Sequence, residues 1–361
     1  KHGIKLVLGY TVEGFKEKDN GVEVLLKDNP SLQADMVVLA IGVTPDTALA
    51  KEAGLELGIK GSIVVNDRME TSVLDIYAAG DAVQVKHYVT GNDALISLAG
   101  PANKQGRIIA DNICGGDSRY LGSQGSSVIK VFDMTAATTG INETNAKKSG
   151  LEVDTVILSP MSHAGYYPGG KVMTMKVVFE KETYRLLGAQ IIGYEGVDKR
   201  IDVLATAIHA GLNATQLKDL DLAYAPPYSS AKDPVNMAGF MIDNIAKGTL
   251  KQWHLEDMDK ISKDKDVVLL DVRTVGEFSR GHIDGFKNIP VDELRERISE
   301  IEKGKPVYLI CQSGLRSYIA SRILEGNGYE TYNFSGGFRF YDAVVNDRAL
   351  IERAYACGMD Y

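Results

Sequence analysis

Cysteine is scarce in this chain: three in 361 residues (Cys114, Cys311 and Cys357) cannot build a disulfide framework. Any cysteine that matters here matters through its reactivity. The six histidines are too scattered to suggest a zinc site, so no metal is expected. No apolar run approaches the roughly 18 residues that a membrane span needs. The opening Lys1-His2-Gly3-Ile4 lacks a secretory apolar stretch, and the expected location is the cytosol. Positive charge is in deficit, with Lys plus Arg at 40 against Asp plus Glu at 48 and a net charge of −8. That balance argues against a general polyanion-binding surface and moves nucleic acid down the list of partners. Internal repeats and low-complexity tracts are missing too, which excludes a solenoid. What remains, 44% hydrophobic and 24% charged, is a globular chain long enough for two or three domains at about 150 residues each.

Ile4–Leu8 reads as a buried strand and Gly21–Leu26 as an alternating one, with no helix before them. Met36–Gly42, a continuous aliphatic run closed by glycine, predicts a central strand buried on both faces. Ile63–Val65 predicts a further strand, and Ala102–Ile113 a helix with Ile108, Ile109 and Ile113 on one face. From Ser126 the pattern changes to strands over Ser127–Phe132, Thr155–Leu158, Lys171–Phe179 and Leu186–Ile192. An amphipathic helix, Asp198–Ala210, follows and is stopped by Gly211. A last boundary near 248–255 precedes a new alternation of strands and helices that begins with Val267–Val272.

The most specific chemical signal is Val307-Tyr308-Leu309-Ile310-Cys311-Gln312-Ser313-Gly314-Leu315-Arg316-Ser317. A buried strand delivers a cysteine to a short polar loop that leads into a helix. Loop amides, the positive end of the helix and the Arg316 cation would all favour thiolate over thiol. Gly314 lets the backbone curl around the sulfur. An isolated strand-end cysteine is more often a small hydrophobe in a core; the Cys-x-x-Gly-x-Arg arrangement reverses that preference.

Together with Leu270-Asp271-Val272-Arg273, Glu277-Phe278, Gly281-His282-Ile283, Asn288-Ile289-Pro290 and Gly336-Gly337-Phe338, this loop resembles the rhodanese family over roughly 255–345. The resemblance implies that Cys311 takes a sulfane sulfur as a persulfide, with Arg316 beside it and Gln312, Ser313, Gly314, Leu315 and Ser317 forming the persulfide loop. Asp271, Arg273, Glu277 and His282 are expected to be an ion-paired and hydrogen-bonded scaffold. Cys357 is expected on a tail, with a resolving thiol as the alternative.

Thr71 and Ile76-Tyr77-Ala78-Ala79-Gly80-Asp81 resemble the second flavin-binding motif of the glutathione-reductase-like disulfide reductases. Ala40-Ile41-Gly42-Val43-Thr44-Pro45 resembles the crossover between their NAD and FAD domains. The resemblance assigns Gly80, Asp81, Ala40 and Gly42 to FAD, with Pro101, Ala102 and Asn103 opening a helix whose positive end faces the flavin. That family also needs a Gly-x-Gly-x-x-Gly turn for FAD, a second for the nicotinamide nucleotide, and a redox cysteine. None of the three occurs in these residues, and the expectation is a C-terminal portion of a longer enzyme.

Residues 118–250, marked by Ser162-His163-Ala164-Gly165-Tyr166-Tyr167-Pro168-Gly169 and Tyr224-Ala225-Pro226-Pro227-Tyr228, resemble the dimerisation domain of the coenzyme A disulfide reductase branch. That branch includes rhodanese-fused NADH-dependent persulfide reductases. The resemblance implies that Tyr228, with Tyr166 or Tyr167 as a second phenol, approaches the redox cysteine of the other subunit. His209 is read as a cap or packing residue.

The expected architecture is multidomain, α/β and α+β: a remnant of the NAD-binding domain over 1–45, the C-terminal segment of the FAD-binding domain over 46–117, the dimerisation domain over 118–250 and an α/β rhodanese domain over 251–361. The implied function is reduction of coenzyme A disulfide, coenzyme A persulfide or polysulfide by NAD(P)H through FAD in a homodimer, with coenzyme A as substrate or bound ligand. Two alternatives stand beside it: an NADH oxidase or peroxidase with an appended domain, and a non-catalytic rhodanese docking module on a dimer scaffold.

Overall fold

The computed structural model describes residues 3–346. These fall into two compact units, one holding the described residues up to Thr44 and those from Asp342, the other Pro45–Tyr341. In the first unit, β1 (Val12–Lys18), β2 (Gly21–Leu26) and β3 (Asn29–Ala34) form an antiparallel sheet in sequence order. The predicted strands Ile4–Leu8 and Met36–Gly42 do not form. Both runs are exposed and irregular, Ile41 at 90% and Val38 at 75%. The reason is backbone accounting: an aliphatic run becomes a central strand only beside neighbours whose N–H and C=O groups pair with its own. No strand among the described residues flanks either run.

The second unit opens with α1 (Ala48–Glu52), then β4 (Ile63–Val64), β5 (Val83–Lys86) and β6 (Asp93–Ala94) in one small sheet, followed by α2 (Ala99–Ile113). Ile108 and Ile109 of α2 pack on Met69, Val83 and Val85. Ile113, expected on the same face, is the last residue of α2 and stays 64% exposed.

Next come β7 (Ser127–Val131), β8 (Met134–Gly140), α3 (Glu143–Lys148), β9 (Val153–Leu158), β10 (Thr174–Glu180), β11 (Leu186–Gly193), α4 (Val197–His209) and α5 (Pro234–Ala246). The five strands form an antiparallel sheet in the order β7-β8-β11-β10-β9. Val177, Phe179, Leu187 and Ile191 from this sheet share one core with Leu204 of α4 and Val235 and Ile242 of α5. α4 ends at His209 with Ala210 as its C-cap, one residue from the expected end, and Gly211 at a φ of +70° turns the chain out. α5 starts from a capping box in which the Asp233 carboxylate accepts the Val235 N–H and Pro234 occupies the first turn.

The remaining block carries β12 (Gln252–Trp253), α6 (Met258–Ile261), β13 (Val268–Asp271), α7 (Val275–Arg280), β14 (Lys287–Asn288), β15 (Val307–Ile310), α8 (Leu315–Glu325) and β16 (Thr331–Phe334), with a helix following from 337. Its sheet is parallel, in the order β12-β16-β15-β13-β14. Central β15 is buried on both faces: Val307 and Leu309 share one core with Leu270 and with Ala320 and Leu324 of α8, and Ile310 shares another with Trp253 and Phe334. Such a strand directs its C-terminal residue into the crevice at the sheet's carboxyl edge, where α/β proteins keep their chemistry. This block is anchored on β9: Ser335 Oγ accepts the buried Ile157 N–H at 3.1 Å, and His254 Nε2 lies 3.0 Å from the Asp154 carboxylate. No described helix is long and apolar enough to cross a membrane. Among the described residues no cluster of His, Cys, Asp and Glu could hold a metal ion.

Candidate functional site

Cys311 leaves the C-terminal end of β15 and its Sγ accepts two hydrogen bonds, from the Gly314 N–H at 3.1 Å and from Ser317 Oγ at 3.2 Å. Gly314 makes the first possible. At φ +100° and ψ −22° it sits in left-handed backbone that a side chain would strain, and it caps α8. The loop is backed by Gly337, where a Cβ would stand 2.7 Å from the Ser313 nitrogen and 2.8 Å from the Gln312 carbonyl carbon. The Phe338 N–H donates to the Cys311 carbonyl at 2.8 Å and the Arg339 N–H to that of Gln312 at 3.1 Å. Cys311 is 1% exposed, but its sulfur faces donors, not aliphatic carbon alone.

One expectation about this loop, that several of its amides aim at the sulfur, needs correction. Among the described residues Gly314 is the only loop amide that donates to the sulfur, and Leu315 turns outward at 66% exposure. Arg316 does not hydrogen-bond the sulfur. Its guanidinium makes a bidentate pair with Glu277, both contacts at 2.7 Å, because a planar fork and a carboxylate match better than a fork and one sulfur. The Glu277 hydrogen bonds do most to raise the Arg316 pKa.

Glu277 itself is held at a pKa of about 2, first by its hydrogen bonds to Arg316 and then by those from Thr274. A carboxylate lowered on folding stabilises the native state above its ordinary pKa, and that contribution fades as pH falls from about 4.5 toward 2. With the pair partly exposed, the contribution is about 1–2 kcal/mol. Glu277→Gln should therefore lower stability at neutral pH by that amount and flatten the loss of stability below pH 5, as read by urea unfolding across a pH series.

The wall of the site is an ion pair. Arg273 and Asp271 are both buried and paired at 2.7 Å; the guanidinium also donates to the Gly281 carbonyl and lies 3.8 Å above the Phe338 ring. Nearby, His282 stacks on Phe278 with ring centroids 4.0 Å apart and Nδ1 at 3.1 Å from the Phe278 carbonyl. None of these side chains hydrogen-bonds the sulfur among the described residues.

A second constellation lies on the α4–α5 face of the antiparallel sheet. Arg200, 1% exposed, donates through Nη2 to the Ser162 carbonyl, to Ser229 Oγ and to the Asp233 carboxylate, and through Nη1 to the Gly196 carbonyl. It ties loop 160–170 to loop 223–233. Both loops carry tyrosines, and a cavity of about 560 Å³ between them is lined by His163, Lys199, Tyr224 and Tyr228. Tyr228 is 73% exposed; Tyr166, at 77%, pairs its hydroxyl with that of Tyr224 at 2.7 Å, which raises the Tyr224 pKa. Tyr167 and His163 pack with their rings nearly perpendicular, centroids 5.6 Å apart. Sequence reasoning quoted Tyr224 as part of a motif but gave it no role, and it missed Arg200. The signal for Arg200 was available, since it is a charge at helical spacing among Val197, Ile201 and Leu204. His209 packs, its ring stacked on Tyr88 at 5.0 Å.

The third segment is Ala79-Gly80-Asp81. Gly80, at φ +86°, donates its N–H to buried Gln105 of α2 at 2.7 Å, while Asp81 is exposed. The N-terminus of α2 has no side-chain cap and no acid in its first turn. A Cβ at Gly80 or Gly100 would meet nothing within 4 Å, and Pro101 and Lys104 line a cavity of about 570 Å³. Free helix N–H groups beside open space fit an anionic or electron-rich ligand such as a flavin nucleotide. Asn103 uses its amide within the helix, on the Ala99 carbonyl. Ala40 and Gly42 lie exposed in the other unit.

Three family models match this chain: pyridine nucleotide-disulphide oxidoreductase over residues 1–106, its dimerisation domain over 126–234, and a rhodanese-like domain over 254–343. The chain belongs to the pyridine nucleotide-disulphide oxidoreductase family and carries a rhodanese-like domain. The reduced CoADR-RHD of Bacillus anthracis is 46% identical, with a TM-score of 0.90 over 94% of this chain and 60% of its own. The NAD-dependent persulfide reductase of A. fulgidus is 40% identical, with a TM-score of 0.83 over 92% of this chain and 61% of its own. The NAD(P)H sulfur oxidoreductase (CoA-dependent) of Pyrococcus abyssi is 38% identical over 65% of this chain and 52% of its own. The chain thus spans about half the length of the curated relatives it matches.

Proposed function

We propose that the rhodanese-like domain carries sulfane sulfur on Cys311 and that this family core reduces coenzyme A disulfide, persulfide or polysulfide sulfur at the expense of NAD(P)H. One observation carries the sulfur-carrier role: the Cys311 sulfur sits at the carboxyl end of a parallel strand and accepts hydrogen bonds from Gly314 N–H and Ser317 Oγ, so it has partners suited to an anion. In transfer, the Cys311 thiolate attacks the outer sulfur of a donor. The donor's S–S bond breaks, its electron pair leaves with the departing group, and Cys311 Sγ–S⁻ remains. An acceptor nucleophile then attacks that outer sulfur and the bonding pair returns to Sγ, with no net oxidation or reduction.

Gly80, Asp81 and the first turn of α2, Pro101–Asn103, would hold FAD, with Ala40 and Gly42 assigned to it by family resemblance. When bound, FAD supplies the two-electron relay from NAD(P)H to sulfur. This chain's contribution to that half-reaction is Tyr228, placed in the open on a loop pinned by Arg200, with Tyr166 or Tyr167 as the second phenol, to donate a proton to a leaving thiolate across a homodimer.

The test is sulfur transfer from thiosulfate to cyanide by the chain itself, releasing sulfite and thiocyanate. Absence of thiocyanate formation refutes the carrier role. For the reductase role, a chain carrying the nucleotide-binding turns and the redox cysteine should oxidise NADH faster with coenzyme A persulfide than with oxygen; the reverse order favours the oxidase reading.

A further inference from the structure

The hydrogen bonds around Gly314 point to one more residue in the sulfur chemistry. Its carbonyl is approached by three donors, the Tyr318 N–H, Asn333 Nδ2 and Ser317 Oγ, each at 3.1 Å. A carbonyl oxygen has two lone pairs. Ser317 also has one proton and two acceptors within reach, that carbonyl and the Cys311 sulfur at 3.2 Å. Tyr318 is committed as the first backbone bond of α8, so Asn333 decides where the serine proton goes.

Asn333 is placed for this. It lies on β16 opposite Leu309 of β15, two residues before the cysteine, and is 3% exposed. The orientation of its amide follows from its neighbour, since turning it over would set Oδ1 against the Gly314 carbonyl. The chosen orientation leaves Oδ1 buried with no hydrogen-bond partner among the described residues. Buried polar atoms are seldom left unpaired, and here the arrangement keeps Nδ2 on Gly314.

We infer that Asn333 is a positioning residue that fills the second lone pair of Gly314 and thereby frees the Ser317 hydroxyl for the Cys311 sulfur. Without it, the serine turns to the carbonyl three residues back, the usual local preference of a helical serine. The sulfur then keeps only the Gly314 N–H. This inference rests on the reading that Cys311 works as an anion.

The experiment follows the ultraviolet absorbance of the thiolate against pH, taken as the difference between the full chain and its Cys311→Ser form so that the other cysteines cancel. Asn333→Ala and the volume-filling Asn333→Leu should each raise the midpoint by about one unit, with circular dichroism unchanged. Ser317→Ala should raise it as well, and adding Asn333→Ala to that variant should shift it no further. An unchanged midpoint in both Asn333 variants, in Ser317→Ala, or an undiminished Asn333→Ala shift in the Ser317→Ala background overturns the inference. Failure of thiocyanate formation with these midpoint shifts intact would instead refute the carrier reading.

Discussion

Cys311→Ser should reduce thiosulfate-to-cyanide sulfur transfer by about four orders of magnitude or more, to the level of buffer. The serine oxygen can accept the same Gly314 N–H and Ser317 hydroxyl that serve the sulfur. What it cannot do is attack sulfane sulfur at neutral pH, because its proton is far more tightly held and it would have to form an O–S bond in place of a persulfide. The fold should be nearly indifferent: a second-row atom is exchanged for a first-row one at a hydrogen-bonded position, costing about 1 kcal/mol or less in urea unfolding. Kinetics and stability therefore separate cleanly. Cys114 is an exposed thiol at the end of α2 and serves as the internal control, since Cys114→Ser should leave the transfer rate unchanged. Activity that survives Cys311→Ser, or that falls with Cys114→Ser, would remove the assignment.

The cysteine loop was legible because its parts are contiguous. Strand, cysteine, glycine and helix follow one another within eleven residues from Val307 to Ser317, so local geometry alone brings them together. The Glu277–Arg316 pair was not legible as a pair, because 39 residues separate its members and only the parallel order β15-β13 places α7 beside α8. The same holds for Asn333. Spacing read well where one face is buried, as in β10 and α4, and poorly where side chains are small: Met134-Thr135-Ala136-Ala137-Thr138-Thr139-Gly140 has no alternation to announce β8, yet Ala137 and Thr139 are buried by its neighbours. The misread runs, Ile4–Leu8 and Met36–Gly42, show the opposite failure. Their composition suits a central strand, but strand pairing is a property of neighbours, which the sequence of the run itself does not contain. Cys357 lies outside the described residues, and its expected place on a tail is not addressed by them.

Arg200→Met should be among the most destabilising single changes in the second unit, by about 3–5 kcal/mol in denaturant unfolding. The Met side chain fits the slot and stays buried there, so a cavity is not the cause. The cause is the charge left behind: Asp233 is 3% exposed and would keep the Ser229 hydroxyl and the Val235 and Asn236 N–H groups as donors, with no cation beside it among the described residues. The Ser162 and Gly196 carbonyls would also each lose a donor. The desolvation of an unpaired carboxylate, more than the lost attraction, sets the size of the effect. It follows that Arg200→Met combined with Asp233→Asn should be more stable than Arg200→Met alone, recovering about 1–2 kcal/mol as a coupling in the double-mutant cycle. The loops should respond in parallel: with loops 160–170 and 223–233 no longer tied, backbone amide exchange near Tyr167 and Ser229 should quicken while Val177 in the centre of the sheet stays protected at a rate set by global unfolding. Equal stability of the two variants would mean that Asp233 finds another cation or water when Arg200 is gone, and the node would then be a packing feature with no electrostatic role.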